Sequence, residues 1–215
     1  MIDVACVWTG TTYGVEYVER LCNMVARNLH IPHRFVCITD RAIEVPDGVR
    51  TVATTLPGWW AKMKLFQAAP WRKYRTLYFD LDTVITDNIT PLAQWHGNFG
   101  ICADFLTRSG AYPAWPCKYG SCVMSLAPEW GGHVWEKFIG DAQGYIRAHA
   151  RYGDQQFIER VVPDATLLQD VMPDNYLVWY RTLTSHRPAG CAVVNFGGNN
   201  KPHNTEHQWV KDCWR

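Results

Sequence analysis

Two carboxylates stand two residues apart in Tyr78-Phe79-Asp80-Leu81-Asp82-Thr83, at the end of an apolar run. In an extended chain the side chains at i and i+2 share a face, so both acids can point to one place. Carboxylates that close repel and raise one another's pKa unless a cation or a shared proton relieves them. A hard divalent ion with oxygen ligands, Mn²⁺ or Mg²⁺, would do so and could bridge to a diphosphate. The plainer alternative has Asp82 capping the next turn and Asp80 solvated. A second cluster is Asn195-Phe196-Gly197-Gly198-Asn199-Asn200-Lys201-Pro202-His203. Its glycines let backbone approach a ligand closely, Lys201 is a point charge suited to phosphate, and His203 could ligate a metal. Alone it also reads as a surface turn with an exposed histidine. A third is Gly153-Asp154-Gln155-Gln156-Phe157, where Asp154 stands in an ordinary N-cap position. Asp154 and Gln155 would equally offer acceptors and an amide to sugar hydroxyls.

The elements that must hold these groups follow from periodicity. Residues 2–8 are a short apolar run closing on Thr9-Gly10, and 15–29 carries apolar residues at helical spacing. Residues 33–38 and 49–53 read as strands, 59–69 as a helix closed by Pro70, and 75–79 as the strand delivering Asp80. Further strands are expected at 98–103, 119–126 and 192–196, and helices at 128–139, 154–161 and 206–214. The Gly-, Pro- and aromatic-rich SGAYPAWPCKYGS is expected to be irregular. Strands alternating with helices favour a mostly parallel α/β sheet, whose ligands sit outside the carboxyl ends of the strands. No repeat or linker divides the chain, so residues 1–215 are read as a single domain.

Composition narrows the class. The 215 residues are 47% hydrophobic and 19% charged, which excludes long disorder and collagen-like repeats. Lys+Arg 21 against Asp+Glu 20 gives a net charge of +1 without charged runs, which disfavours broad nucleic-acid binding. No run approaches the ~20 apolar residues needed for a transmembrane segment. The eight cysteines form no C-x-x-C pair, and the chain opens without a signal-like basic and apolar leader. They are read as reduced thiols of a soluble, cytoplasmic protein rather than a disulfide framework. Eleven tryptophans are more than a core this size requires, which points to a flat ligand such as a sugar or a base.

Taken alone, YFDLDT resembles the nucleophile strand of haloacid-dehalogenase-type phosphatases, where Asp80 would attack phosphorus and Asp82 serve as the acid. Here a long βαβ-like stretch precedes it, and Val84-Ile85 follows Thr83 where that family has a Gly turn. The order of pieces along the whole chain has a different resemblance. The turn Thr9-Gly10-Thr11-Thr12-Tyr13, the lysines of WWAKMKLF, YFDLDT, YGSCVMSL, GDQQF and NFGGNNKPH together resemble GT-A-fold, family-8-type retaining glycosyltransferases, the glycogenin and lipopolysaccharide galactosyltransferase group.

That resemblance implies an α/β, Rossmann-like GT-A domain acting on a nucleotide-sugar donor, a UDP-sugar first, with a carbohydrate or other hydroxyl acceptor. Asp80 and Asp82 would hold Mn²⁺ or Mg²⁺ against the diphosphate, the metal acting as a Lewis acid. The family's H-F-x-G-x-x-K-P-W motif falls on Asn195 through His203, which makes Gly198 its glycine and Lys201 the donor-phosphate contact. The usual metal-binding His is Asn195 here and the Trp is His203, so Asn195, His203 or a water completes the metal site. Thr9 and Tyr13 would lie at base and ribose with Asp40 nearby. The basic donor contact would be Lys62 or Lys64, with Lys62 favoured by the W-x-K-x-x-x-F look of its segment. Asp154 and Gln155 would match the D-Q pair beside the transferred sugar, with Ser121 beneath. Front-side attack is the family's usual account of retention; a two-step route would need a carboxylate nucleophile, for which Asp154 is the candidate. The acceptor is expected between segment 108–120, with Tyr112, Trp115 and Tyr119, and a C-terminal piece with His207 and Trp214. The chain ends soon after Lys201-Pro202, so no membrane-docking tail is expected. The missing His and the many Trp also fit a non-catalytic sugar-binding relative.

Overall fold

A computed structural model describes residues 1–41, 45–110, 112 and 114–215; Ala111 and Pro113 of the expected irregular segment lie outside it. Strand β1 (Ile2–Trp8) leads into helix α1 (Val15–Asn28), whose buried Tyr17, Val18, Leu21, Met24 and Val25 lie three or four apart on one face. Strands β2 (His33–Thr39), β3 (Val49–Ala53) and β4 (Thr76–Phe79) follow, then β5 (Thr83–Ile85), α2 (Thr90–Gln94), β6 (Phe99–Ala103) and α3 (Phe105–Arg108). Strand β7 (Tyr119–Leu126) precedes helices α4 (Gly132–Gly140), α5 (Ala142–Ala148) and α6 (Asp154–Val161). The remainder is β8 (Thr166–Leu167), α7 (Leu168–Val171), β9 (Leu177–Trp179), β10 (Val193–Asn195) and α8 (Gln208–Cys213).

The central sheet runs β3-β2-β1-β4-β7-β6-β8. Its pairings are parallel between β2 and β3, β1 and β2, β1 and β4, and β6 and β8, and antiparallel only where β7 meets β4 and β6. Strand β1 splits its side chains by the two-residue period: Val4, Cys6 and Trp8 join the core under α1, while Ala5 joins the opposite core. Both layers are therefore covered, as a mostly parallel sheet requires. Among the described residues no helix is long and apolar enough to cross a membrane. All eight cysteines are unpaired thiols, five of them buried.

A second sheet, β5-β10-β9, was not expected from the sequence, because three-residue strands carry too little periodicity to read. It matters for the site: Asn195 of β10 pairs with Thr83 of β5 and Trp179 of β9, so the late loop returns against the Asp80-Asp82 turn. The segment expected as a helix at 59–69 is instead a 3₁₀ helix, Gly58–Phe66. It buries Trp60, Ala61, Lys62, Met63, Leu65 and Phe66, so core lies on several sides of it and one amphipathic stripe would not serve. Helix α4 starts later than the expected residue 128 because Glu129 and Gly131 take positive φ, 61° and 104°. A Cβ on Gly131 would lie 2.8 Å from Phe66, so close backbone packing fixes that glycine.

Candidate active site

The carboxyl ends of β1 and β4 open into a cleft of about 720 Å³, where open α/β sheets bind ligands. Beyond β1, residues 9–14 curl back so that the Trp8 indole donates to the Tyr13 carbonyl at 2.8 Å and the Thr9 hydroxyl donates to the Gly58 carbonyl at 3.1 Å. Beyond β4, the Asp80 amide donates to the Cys122 carbonyl at 2.9 Å and the Thr83 amide to the Asp80 carbonyl at 3.0 Å, a tight turn that presents both acids.

Each acid is met by a lysine from elsewhere in the chain. Lys62, 5% exposed on the 3₁₀ segment, places Nζ 2.9 Å from Asp80 Oδ1 and 3.9 Å from Asp154 Oδ2, and donates to Ser121 Oγ at 3.0 Å. Lys64 turns away to Gln67 and the Trp135 ring, so of the two lysines only Lys62 enters the cleft. The Tyr78 hydroxyl donates to Asp80 Oδ1 at 2.5 Å. Asp82 Oδ2 accepts from Lys201 Nζ at 2.6 Å and from the Tyr13 hydroxyl at 3.0 Å. Burial raises the Asp82 pKa, Asp80 adds to that, and Lys201 offsets only part of it. Burial also raises Asp154 against the opposing pull of Lys62 and Ser121. For Lys62 burial pulls the ammonium down, but Asp154 and Asp80 together hold it above the ordinary lysine value.

Asp154 is the first residue of α6 and not its cap. Gly153 holds the cap position with φ +71°, and a Cβ there would lie 2.7 Å from Trp59 Nε1. The capping alternative for Asp154 is thus replaced by a buried carboxylate whose Oδ2 has no hydrogen-bond partner. Gln155 donates from Nε2 to Asp104 Oδ2 at 3.4 Å, while Asp104 Oδ1 caps α3 by accepting from the Leu106 and Thr107 amides at 2.8 and 3.3 Å. Asp104 was not singled out from the sequence, although an Asp between a strand and a short helix is the usual cap signal. Arg151, Tyr152 and the Trp179-Tyr180-Arg181 strip also line the cleft and carry no motif that would have announced them.

The cleft brings together Thr9, Tyr13, Lys62, Asp80, Asp82, Ser121, Asp154, Gln155, Gly198 and Lys201. Gly198 has φ +62° with open space where a Cβ would stand, so conformation selects glycine there and crowding does not. Asp40 does not line the cleft; it accepts from the Gly10 amide at 3.1 Å and so braces the turn after β1. His203 faces away, its Nδ1 2.6 Å from the Tyr17 hydroxyl. Trp214 and His207 do not line the cleft either; Trp214 is buried, with its ring edge against Tyr17 and the Arg20 guanidinium over it. Tyr119 is likewise core, its hydroxyl donating to the Val162 carbonyl, whereas Trp115 does reach the cleft.

The residues that could hold a divalent cation are hard oxygen donors: Asp80 and Asp82 line the cleft, and Asn195, which does not line it, has an Oδ1 that is buried without a hydrogen-bond partner. Asn195 is the register partner of Thr83, next to Asp82, and its Nδ2 is directed to the Val178 carbonyl at 3.5 Å. An orphaned amide oxygen there suits Mn²⁺ or Mg²⁺ chemistry. Among the described residues no group of three His, Cys, Asp or Glu comes together.

No family model and no curated protein matches this sequence. Solved structures do. The galactosyltransferase LgtC, in complex with donor and acceptor sugar analogs, superposes with TM-score 0.68 at 14% identity over 99% of this chain and 96% of that one. The apo form of the glycosyltransferase GlyE of Streptococcus pneumoniae TIGR4 gives 0.68 at 13% identity, over 99% of this chain and 59% of its own. The bifunctional glycosyltransferase WbbM gives 0.59 at 13%, over 98% of this chain and 48% of its own. The likeness at such identities is one of fold: the chain has the GT-A fold of these glycosyltransferases.

Proposed function

We propose that the protein is a glycosyltransferase that moves a sugar from a nucleotide-sugar, a UDP-sugar first, to a hydroxyl acceptor with retention of configuration. The observation carrying this reading is the meeting, in one cleft of a GT-A fold, of Asp80, Asp82, Lys201, Lys62, Asp154 and Gln155 from four separate parts of the chain. Asp80 and Asp82, with Asn195 Oδ1, would hold a divalent cation, which supplies Lewis-acid stabilisation of charge on the departing diphosphate. Lys201, on the loop that turns at Gly198, can exchange its contact with the Asp82 carboxylate for one with a donor phosphate. Thr9 and Tyr13 border the nucleotide end. Asp154 and Gln155 border the sugar end, where the unpartnered Asp154 Oδ2 can accept from a sugar hydroxyl. Lys62 stands between Asp80 and Asp154 as their shared counter-ion, and Ser121 fixes its ammonium. In the transfer the acceptor oxygen bonds to the anomeric carbon as the bond from that carbon to the diphosphate oxygen breaks, the electron pair leaving with the diphosphate, whose freed oxygen takes up the acceptor hydroxyl's proton. The same Asp154 oxygen is the candidate nucleophile of a two-step route.

Calorimetry against UDP, GDP and the common nucleotide-sugars, each with and without Mn²⁺, tests the reading. Metal-dependent binding of one nucleotide, lost in Asp80→Asn/Asp82→Asn, is the expected result, with slow donor hydrolysis lost in Asp82→Ala. Binding without hydrolysis or transfer over a broad acceptor panel would favour the non-catalytic sugar-binding relative, a reading that the pairing of both acids with lysines supports. Turnover of an aryl phosphate would instead support the aspartate-nucleophile phosphatase.

A further inference from the structure

The cleft contains four cations, and they fall into two kinds. Lys62 and Lys201 are each paired with the acids of the donor half. Arg151 and Arg181 line the same cleft, and neither has a carboxylate within ion-pairing distance among the described residues. Both are exposed, and each is laid on aromatic rings. Arg181 lies 5.0 Å from the Trp179 ring and 5.7 Å from the Tyr180 ring, and donates from Nε to the Tyr180 hydroxyl at 2.8 Å. Arg151 lies 5.2 Å from the Tyr152 ring, which in turn meets Trp115 edge-on at 5.2 Å. The first shelf is itself backed: Phe105 stacks on Trp179 at 6.3 Å and Phe196 on Tyr180 at 5.4 Å, while Asn200 donates to the Tyr180 hydroxyl at 3.0 Å.

Aromatic rings that line a cleft serve as platforms for a sugar ring. A guanidinium fixed beside such a platform presents a planar fork of donors that matches carboxylate or phosphate geometry. We propose that these two arginine-aromatic strips form the acceptor subsite and that the acceptor is an anionic sugar, one carrying a carboxylate or a phosphate beside the ring that stacks. The proposal rests on the transferase reading and deepens it. The donor half already contains Lys201 and the acids for a metal, so the diphosphate does not call on the arginines. A neutral acceptor would leave both guanidinium groups without an anionic partner among the described residues.

The test holds the protein saturated with UDP and Mn²⁺ and titrates it calorimetrically with glucuronate, glucose 6-phosphate and glucose. At least one anionic sugar should bind about tenfold or more tightly than glucose, the scale of a charge-assisted pair, and whichever it is identifies the anion. The Arg151→Gln/Arg181→Gln variant should lose that preference, and Arg151→Lys/Arg181→Lys, which keeps the charges, should retain most of it. Both arginines are exposed, so neither variant threatens the fold. Equal affinity for the three sugars, no binding of either anion, or a preference that survives the glutamines overturns the assignment. Loss of UDP affinity in the glutamine variant assigns the arginines to the donor and also overturns it. Failure of the unmodified protein to bind any nucleotide fails the transferase reading itself, and this inference with it.

Discussion

Lys201 touches Asp82 Oδ2 at 2.6 Å and the Tyr13 hydroxyl at 2.7 Å, which makes it the counter-ion of a carboxylate that a metal would also claim. On the proposed metal-dependent reading, a divalent ion held by Asp82 would take the place of the ammonium and leave it free for phosphate. Lys201→Met should therefore bind Mn²⁺ alone more tightly and a nucleoside diphosphate more weakly, each by about tenfold, the effect of one charge-assisted contact. Electron paramagnetic resonance of unbound Mn²⁺ and calorimetry with UDP read the two effects separately; movement of both affinities in the same direction would refute the exchange. The same site sets a pH limit. Asp82 takes its proton above the usual carboxylate range because it is buried and Asp80 lies near. On lowering the pH, Mn²⁺ affinity should thus begin to fall before an exposed carboxylate would titrate, and it should recover as the pH rises through the Asp82 pKa.

At the scale of elements, stability and positioning can be probed away from the ligands. Asp3 on β1 is wholly buried and takes both forks of Arg34 on β2, at 2.7 and 2.9 Å. Arg34→Ala leaves that carboxylate without its main partner and should cost about 2–3 kcal/mol, the low side for a broken buried pair because Arg72 lies close enough to compensate in part. Denaturant unfolding checks this, and replacing Asp3 by Asn in the same background should restore part of the loss. Gly153→Ala forces a side chain into positive φ and against the Trp59 indole, for about 1–2 kcal/mol, and tilts the start of α6 that carries Asp154 and Gln155. Its sugar-end affinity should drop more than its UDP affinity, a split that competition calorimetry resolves. Strands such as β1 and β7 were legible because seven or eight residues alternate against two cores, and α1 because its buried stripe repeats every three or four residues. The 3₁₀ segment and the β5-β10-β9 sheet were not, since their form depends on what packs around them and not on a local period.

At the scale of the molecule, the acids and lysines could be read from short motifs because their chemistry is unusual wherever it occurs. Residues 151–152 and 179–181 could not, because an arginine beside an aromatic ring is common on any surface and acquires meaning only where the topology turns it to the cleft. His203 shows the converse: a motif position pointed it toward the metal, yet packing turned it to Tyr17. Because the cleft draws on Tyr13, Lys62, Asp80, Asp154 and Lys201, ligand binding must tie the first strand, the 3₁₀ segment, both sheets and α6 into one cooperative unit. UDP with Mn²⁺ at about a hundred times its Kd should stabilise the fold by about 2.7 kcal/mol. For a chain of this length that corresponds to a rise in Tm of about 5–11 °C. Asp80→Asn/Asp82→Asn should keep a cooperative transition and lose the rise, because the neutral amides leave Lys62 and Lys201 in place while removing the metal's anionic ligands. Thermal unfolding with UDP alone provides the decisive comparison. A full rise without Mn²⁺ would mean that Lys62 and Lys201 carry the diphosphate by themselves and that Asp80 and Asp82 serve to position those lysines instead of a metal.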